Sequence, residues 1–374
     1  MAVRCAIVPP TPVPYREPLF RALHERDDLE IRVIYQSAGQ PSWDVPPEWF
    51  PSEHPYPAVH LRSWQRSRPG RSPIVWPRGL ERALRSADPD CVVAIAYGPA
   101  SLRAWQWCRR HGRAYVIFSD CTPQINSMLS PGHLRLHRWL AHRADGLIAV
   151  SSAGRERLLE FGVAPDRITV ALQAGDLEPV RAATSTRGAN GARPGTVLSV
   201  GRLVPDKNFA MLIEAFAQSR LAAEGARLEI VGTGFAEPEL RTVAERVGVP
   251  VVFRGGVPHA EMPTLYAGAD VFALVSTYEP FGVAIREAVA AGLPIICSET
   301  AGAVGDVAVA GRNALLVDPA RIDTVAESLA RLLTDRAMRE RMGAESRAID
   351  AALDGSDVEA FALAVRTAAA RRGR

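Results

Sequence analysis

Arg202 and Lys207 stand close together in "VGRLVPDKN", and Lys207 is the only lysine of the chain; every other basic side chain among its 44 lysines and arginines is arginine. A coding bias toward G and C explains why lysine is rare, but not why the survivor sits beside a second cation. "TVLSV" before Gly201 reads as a buried strand, and Phe209, Leu212, Ile213 and Phe216 recur after it at helical spacing. The two cations therefore fall on a loop between a strand's carboxyl end and the first turn of a helix. The helix dipole disfavours positive charge there by about 0.3–1 kcal/mol per cation. A bound diphosphate would reverse that sign, taking the free N–H groups of the helix start and both side chains. The simpler alternative is that adjacent Asp206 neutralises Lys207.

A second group lies in "STYEPFGVAIREAVAAG", where Glu279 precedes a helix and Glu287 falls inside it. Pro280, Phe281 and Gly282 read as a turn, and Gly292 and Pro294 end the helix. The amides of Phe281, Gly282 and Val283 then form a second helix start suited to an anion, with a glycine that lets a ligand approach. Glu287 sits among Ile285, Ala288 and Ala291, where a buried carboxylate needs hydroxyl or N–H partners. Sugar or ribose hydroxyls would serve, and so would pairing with Arg286. Gly232 and Gly234 follow a strand in "LEIVGTGF" but do not complete GxGxxG, so they read as a tight turn and no dinucleotide cofactor is expected.

The elements that must position these groups alternate along the chain. "CAIVP", "IRVIYQ", "CVVAIAY", "AYVIFS" and "DGLIAVS" are strand-like runs separated by helical patterns, and a second such series begins at "TVLSVG". Alternation of this kind predicts parallel sheets with helices on both faces. The small, polar segment 181–195 reads as a linker. The organisation expected is a first domain over 1–180, the linker, a second domain over 196–353, and a helix within 354–374 that packs back on the first domain.

The net charge of +3 argues against nucleic acid as a partner. Between Arg62 and Arg143, however, fourteen arginines face four acidic residues. Such a run is a solvated face, or it meets an acidic acceptor or an anionic membrane surface, and "HRWLAHR" within it could dock there. Five scattered cysteines without CxxC spacing read as reduced thiols of a cytoplasmic protein, with no zinc site. No apolar run approaches the roughly 18 residues needed to span a bilayer, so any membrane contact is expected to be peripheral, at the inner face.

Taken in order, "VGRLVPDKN", "EIVGTG", "VVFRG", "LYAGADVFALVSTYEPFGVAIREAVAAGLPIICSETAG" and "GRNALLVDP" resemble the retaining family-4 glycosyltransferases of GT-B fold, over most of 196–320. The resemblance implies an α/β architecture of two doubly wound Rossmann-like domains whose parallel sheets face a cleft, with the acceptor bound by the first and the nucleotide-sugar donor by the second. It implies that Arg202 and Lys207 hold the donor diphosphate, that Glu279 contacts the donor sugar and acts with them in catalysis, and that Glu287 contacts the ribose. It further places Phe281, Gly282, Val283, Gly201 and Gly234 at the donor and Arg254 beside the base. The donor is expected to be UDP-linked, and no metal or cofactor is needed because fixed cations meet the leaving group.

The first half matches more loosely. Many family members carry a histidine where "AYVIFSDCTP" offers Ser119 and Asp120, so these two, with Tyr15 and Arg16 of "PYREPLFRAL", are the candidates on the side of an acceptor hydroxyl. A sugar-nucleotide epimerase of the same fold and a non-catalytic nucleotide-sugar-binding protein are the other readings.

Overall fold

Runs such as "CVVAI" and "AYVIFS" are apolar at successive positions, which suits a strand covered on both faces in the middle of a parallel sheet. That is where the computed structural model, which describes residues 2–39, 49–68, 71–173, 175–185 and 195–372, places them. The described residues up to Gly175, together with those from Gly355 onward, form one unit; Asp176–Asp354 form the other.

The first unit has strands β1 (Val3–Val8), β2 (Leu29–Tyr35), β3 (Ala58–His60), β4 (Ser63–Arg68), β5 (Arg71–Pro77), β6 (Cys91–Ile95), β7 (Ala114–Ser119), β8 (Gly146–Ala149) and β9 (Ile168–Val170). Its helices are α1 (Glu17–His24), α2 (Leu80–Ala87), α3 (Pro99–His111), α4 (Ile125–Met128), α5 (Pro131–Arg143) and α6 (Ser152–Glu160). Seven strands make a parallel sheet in the order β3-β2-β1-β6-β7-β8-β9, and β4 and β5 form a separate antiparallel hairpin. Every residue of β6 and β7 is buried.

The second unit opens with helix α7 (Glu178–Ser185), followed by β10 (Thr196–Val200), α8 (Phe209–Gln218), β11 (Arg227–Val231), α9 (Glu237–Val247), β12 (Val251–Gly255) and α10 (Met262–Gly268). Then come β13 (Val271–Leu274), α11 (Val283–Ala290), β14 (Ile295–Ser298), β15 (Ala314–Val317), α12 (Ile322–Thr334) and α13 (Arg336–Ala352). Its six strands are parallel in the order β12-β11-β10-β13-β14-β15. Phe209, Leu212, Ile213 and Phe216, the stripe read from helical spacing, are all buried in this unit's core.

The segment read as a linker divides. Residues 181–185 are the end of α7, which packs against α10, and 186–194 lie outside the described residues. A final helix, α14 (Ser356–Arg372), covers one face of the first sheet, touching β7, β8 and β9. Its Phe361 lies 5.9 Å from the Phe118 ring, and its end is tied down by Arg371 with Asp166 and Arg372 with Asp145.

Candidate active site

Each sheet reverses its strand order once, between β1 and β6 in the first unit and between β10 and β13 in the second. Open parallel sheets bind ligands outside the strands' carboxyl ends at such a switch point. The loops leaving β10 and β13 carry Lys207 and Glu279.

After β10 the chain passes through a tight 3-10 turn at Pro205–Lys207, and Asn208 adopts a left-handed conformation (φ 56°) before α8 begins at Phe209. Lys207 therefore lies on the loop just before the helix, where the sequence spacing put it. The left-handed Asn208 breaks helical continuity. Its side chain compensates, donating from Nδ2 to Val275 O at 3.2 Å and to Pro319 O at 2.9 Å. The amide of Thr277 donates to Asp206 O at 2.9 Å, so the loop after β10 is stitched to the loop after β13.

This stitching brings Lys207 Nζ to 2.5 Å from Glu279 Oε2, with only 14% and 8% of the two side chains exposed. Asp206, the simpler partner, gives its backbone oxygen to Thr277, and the lysine's ion pair is with a residue far along the chain. Ser276 Oγ stands 3.5 Å from the same carboxylate oxygen. The backbone of Glu279 is held too: Gly302 N–H donates to its carbonyl at 2.9 Å. A Cβ at position 302 would lie 1.9 Å from Pro280 O, so only glycine permits this approach. Gly282 caps α11, Val283 begins it, and Phe281 is buried beneath the turn.

Glu287, on α11, is nearly buried and accepts a hydrogen bond from Tyr266 Oη of α10 at 2.6 Å. Burial pushes its carboxyl above the ordinary carboxylate range, while the tyrosine hydrogen bond and His259 oppose the rise. Gly201 N–H donates to Val231 O, and Leu203 N–H to Thr233 O, which lays the loops after β10 and β11 against each other. A Cβ at Gly234 would come within 2.3 Å of Leu203 O, which gives the Gly-x-Gly a role in close loop packing. Arg202 is exposed on the same loop. Arg254 lies near the carboxyl end of edge strand β12 and pairs with Glu229 of β11 at 3.0 Å.

In the first unit Arg16 ends the 3-10 turn after β1, with 9% of its side chain exposed and Nη2 4.0 Å from Asp120 Oδ2 at the end of β7. Its guanidinium carbon lies 5.6 Å from the centroid of Tyr15. Arg16, Tyr15 and Asp120 are thus neighbours, whereas Ser119 is turned into the fold and accepts from Cys121 N–H at 3.4 Å.

Asn208, Ser276, Tyr266 and Gly302 were not singled out from the sequence. Each lies in or beside a segment that carried the family resemblance, but no property of its residue type distinguishes it from a loop or core position. Among the described residues, no group of three or more His, Cys, Asp or Glu side chains is arranged to hold a metal ion.

Two parallel α/β units, each with one switch point, have the architecture of the GT-B glycosyltransferases, and comparison with known proteins gives the family. The model of the family described as "Glycosyl transferases group 1" matches residues 184–349, and that of "Glycosyltransferase Family 4" matches 19–178. The chain belongs to this glycosyltransferase family. It is 32% identical over 283 residues, 72% of this chain and 73% of the relative, to a GDP-mannose-dependent alpha-(1-6)-phosphatidylinositol monomannoside mannosyltransferase of Mycobacterium tuberculosis. In structure it is similar to Anabaena HepE in complex with UDP, with a TM-score of 0.76, 20% identity and coverage of 99% of this chain and 100% of that one. It is also similar to sucrose-phosphate synthase from Thermosynechococcus elongatus, with a TM-score of 0.74, 19% identity and 96% coverage of both chains.

Proposed function

We propose that this glycosyltransferase moves a sugar, with retention at the anomeric carbon, from a nucleotide-diphosphate sugar held by the second unit to a hydroxyl of an acceptor held by the first. The observation that carries the reading is the buried Lys207–Glu279 pair at the switch point. The pair is neutral by itself, and the N-terminus of α11 beside it adds the partial positive charge and free N–H groups that suit a diphosphate. Lys207 and Arg202 meet the charge that develops on the departing phosphate oxygen as the glycosidic bond breaks, without a metal ion. Glu279 positions the sugar through its hydroxyls, and Glu287, already hydrogen-bonded to one hydroxyl in Tyr266, takes the ribose. On the acceptor side Asp120, held near Arg16, orients the attacking hydroxyl.

The relative named for GDP-mannose shares 32% identity, against 20% for the UDP-bound HepE structure. GDP-mannose is therefore the first donor to test, ahead of the UDP-linked donor expected from sequence. Mass spectrometry of the purified chain with a panel of GDP-, UDP- and ADP-sugars tests the reading. Slow hydrolysis of one donor to nucleoside diphosphate and free sugar is the result expected. Interconversion of intact nucleotide sugars would make the protein an epimerase, and binding without turnover would make it a non-catalytic receptor.

A further inference from the structure

β4 and β5 pair so that Trp64 faces Trp76, Gln65 faces Val75 and Arg66 faces Ile74. Side chains alternate between the two faces of such a ribbon. One face is anchored: Val75 is buried, and Gln65 Nε2 donates to Gly39 O at 3.2 Å. Arg103 of α3 donates to Pro77 O and pairs with Glu81, which fixes the base of the hairpin to the body of the first unit. The other face presents Trp64, Ile74 and Trp76, which are 51%, 37% and 42% exposed, with exposed Arg62, Arg66 and Arg78 around them. The two indole rings lie against each other at a tilt of 50°, with centroids 5.3 Å apart.

The outer face departs from the usual arrangement. An antiparallel ribbon with one covered face turns its large apolar residues inward and its polar residues to water. Here the inner face holds Ser63 and Gln65 beside the buried Val75 and Pro77, while the larger apolar groups, both tryptophans and Ile74, lie outside. The stretch 61–80 holds five arginines and no acidic residue, so every charge the hairpin itself carries is positive. Indole partitions to the head-group zone of a bilayer, with its N–H in the wet layer and its rings among the upper acyl chains. Arginines beside it add attraction to anionic lipid. No described helix is long and apolar enough to cross a membrane, so the contact is a surface one.

We propose that the outer face of this hairpin docks the protein on the head-group layer of an anionic bilayer. The inference stands on the hairpin alone and does not depend on the donor-site reading. The test is co-sedimentation of the full chain with phosphatidylcholine vesicles made with and without phosphatidylglycerol. Binding is expected only with phosphatidylglycerol and should weaken as salt is raised. Trp64→Ser with Trp76→Ser, and separately Arg62→Glu with Arg66→Glu, should each lower the partition coefficient about tenfold. These substitutions change exposed side chains, and an unaltered thermal melt identifies variants that remain folded. A wild-type chain that stays in the supernatant, or folded variants that bind as wild type does, would overturn the proposal. Sedimentation velocity covers the other occupant: a wild-type dimer made monomeric by the tryptophan pair would assign the face to a second copy of the chain instead.

Discussion

At the scale of single residues, the Lys207–Glu279 pair separates a charge requirement from a shape requirement. If the ammonium contacts a donor phosphate, Lys207→Ala should weaken donor binding and slow transfer at least about tenfold, the loss of a charge-assisted contact of about 1.5–3 kcal/mol. The same variant leaves Glu279 buried without its cation, so lower thermal stability should accompany the loss of activity. Lys207→Arg is the sharper test, because it keeps the charge but replaces a compact point donor with a planar fork. Only 14% of the lysine side chain is exposed, so the larger head has little room. Equal donor affinity and turnover in Lys207→Arg and wild type, measured by calorimetry and donor hydrolysis, would show that this position supplies charge only. The spacing of Arg202, Lys207, Glu279 and Glu287 was legible in the sequence because charged groups beside helix starts demand a reason. The partners that complete them were not: Tyr266 looks like any core tyrosine until its hydroxyl is seen on Glu287.

At the scale of elements, two joints give physical predictions. Asn208 joins the loop after β10 to the ends of β13 and β15 through two side-chain hydrogen bonds while holding a left-handed backbone. Asn208→Gly keeps that backbone accessible and removes only the bonds, whereas Asn208→Ala also adds strain. Both should be destabilised by about 1–3 kcal/mol in urea, Ala more than Gly, and both should raise the donor KM by letting Lys207 drift. Periodicity located the helix from Phe209 and so put Lys207 on the loop before it, but it held no sign of the left-handed Asn208 that separates the two. The second joint links α5 to α6, where Arg157 Nη2 donates to His137 Nδ1 at 3.1 Å in a buried setting. Burial, reinforced by the arginine's charge, pushes His137 down to about 3. The unfolded chain takes up this proton near pH 6.5 and the folded chain does not, so stability is full above that pH and falls as pH drops. The loss should reach about 2 kcal/mol by pH 5, and His60, lowered mainly by burial, adds to it in the same direction. Urea titrations at pH 7.5 and 5 should show this difference, and a His137→Asn variant should show a smaller one.

At the scale of the whole molecule, the first unit is not completed until the last residues of the chain are added. Its sheet ends at Val170, yet α14, which covers one face of that sheet, starts at Ser356. Alternation of strands and helices announced two parallel sheets, and α14 was legible as a helix. Its packing on the first domain was also expected, although periodicity alone does not say which sheet a distant helix covers, since any apolar stripe fits many partners. The division into units makes a selective prediction. Phe361 is fully buried against the first sheet, beside Phe118. Phe361→Ala should destabilise the first unit by about 3–5 kcal/mol, the usual effect of emptying a buried phenylalanine site. The proposed donor site draws its residues from 201–302, in the second unit, and shares none with this pocket. Calorimetry should therefore show one unfolding transition shifted down and the other unmoved, with nucleoside diphosphate affinity at 25 °C unchanged. If both transitions shift together, the two units unfold as one, and a substitution in either would then be felt at the donor site.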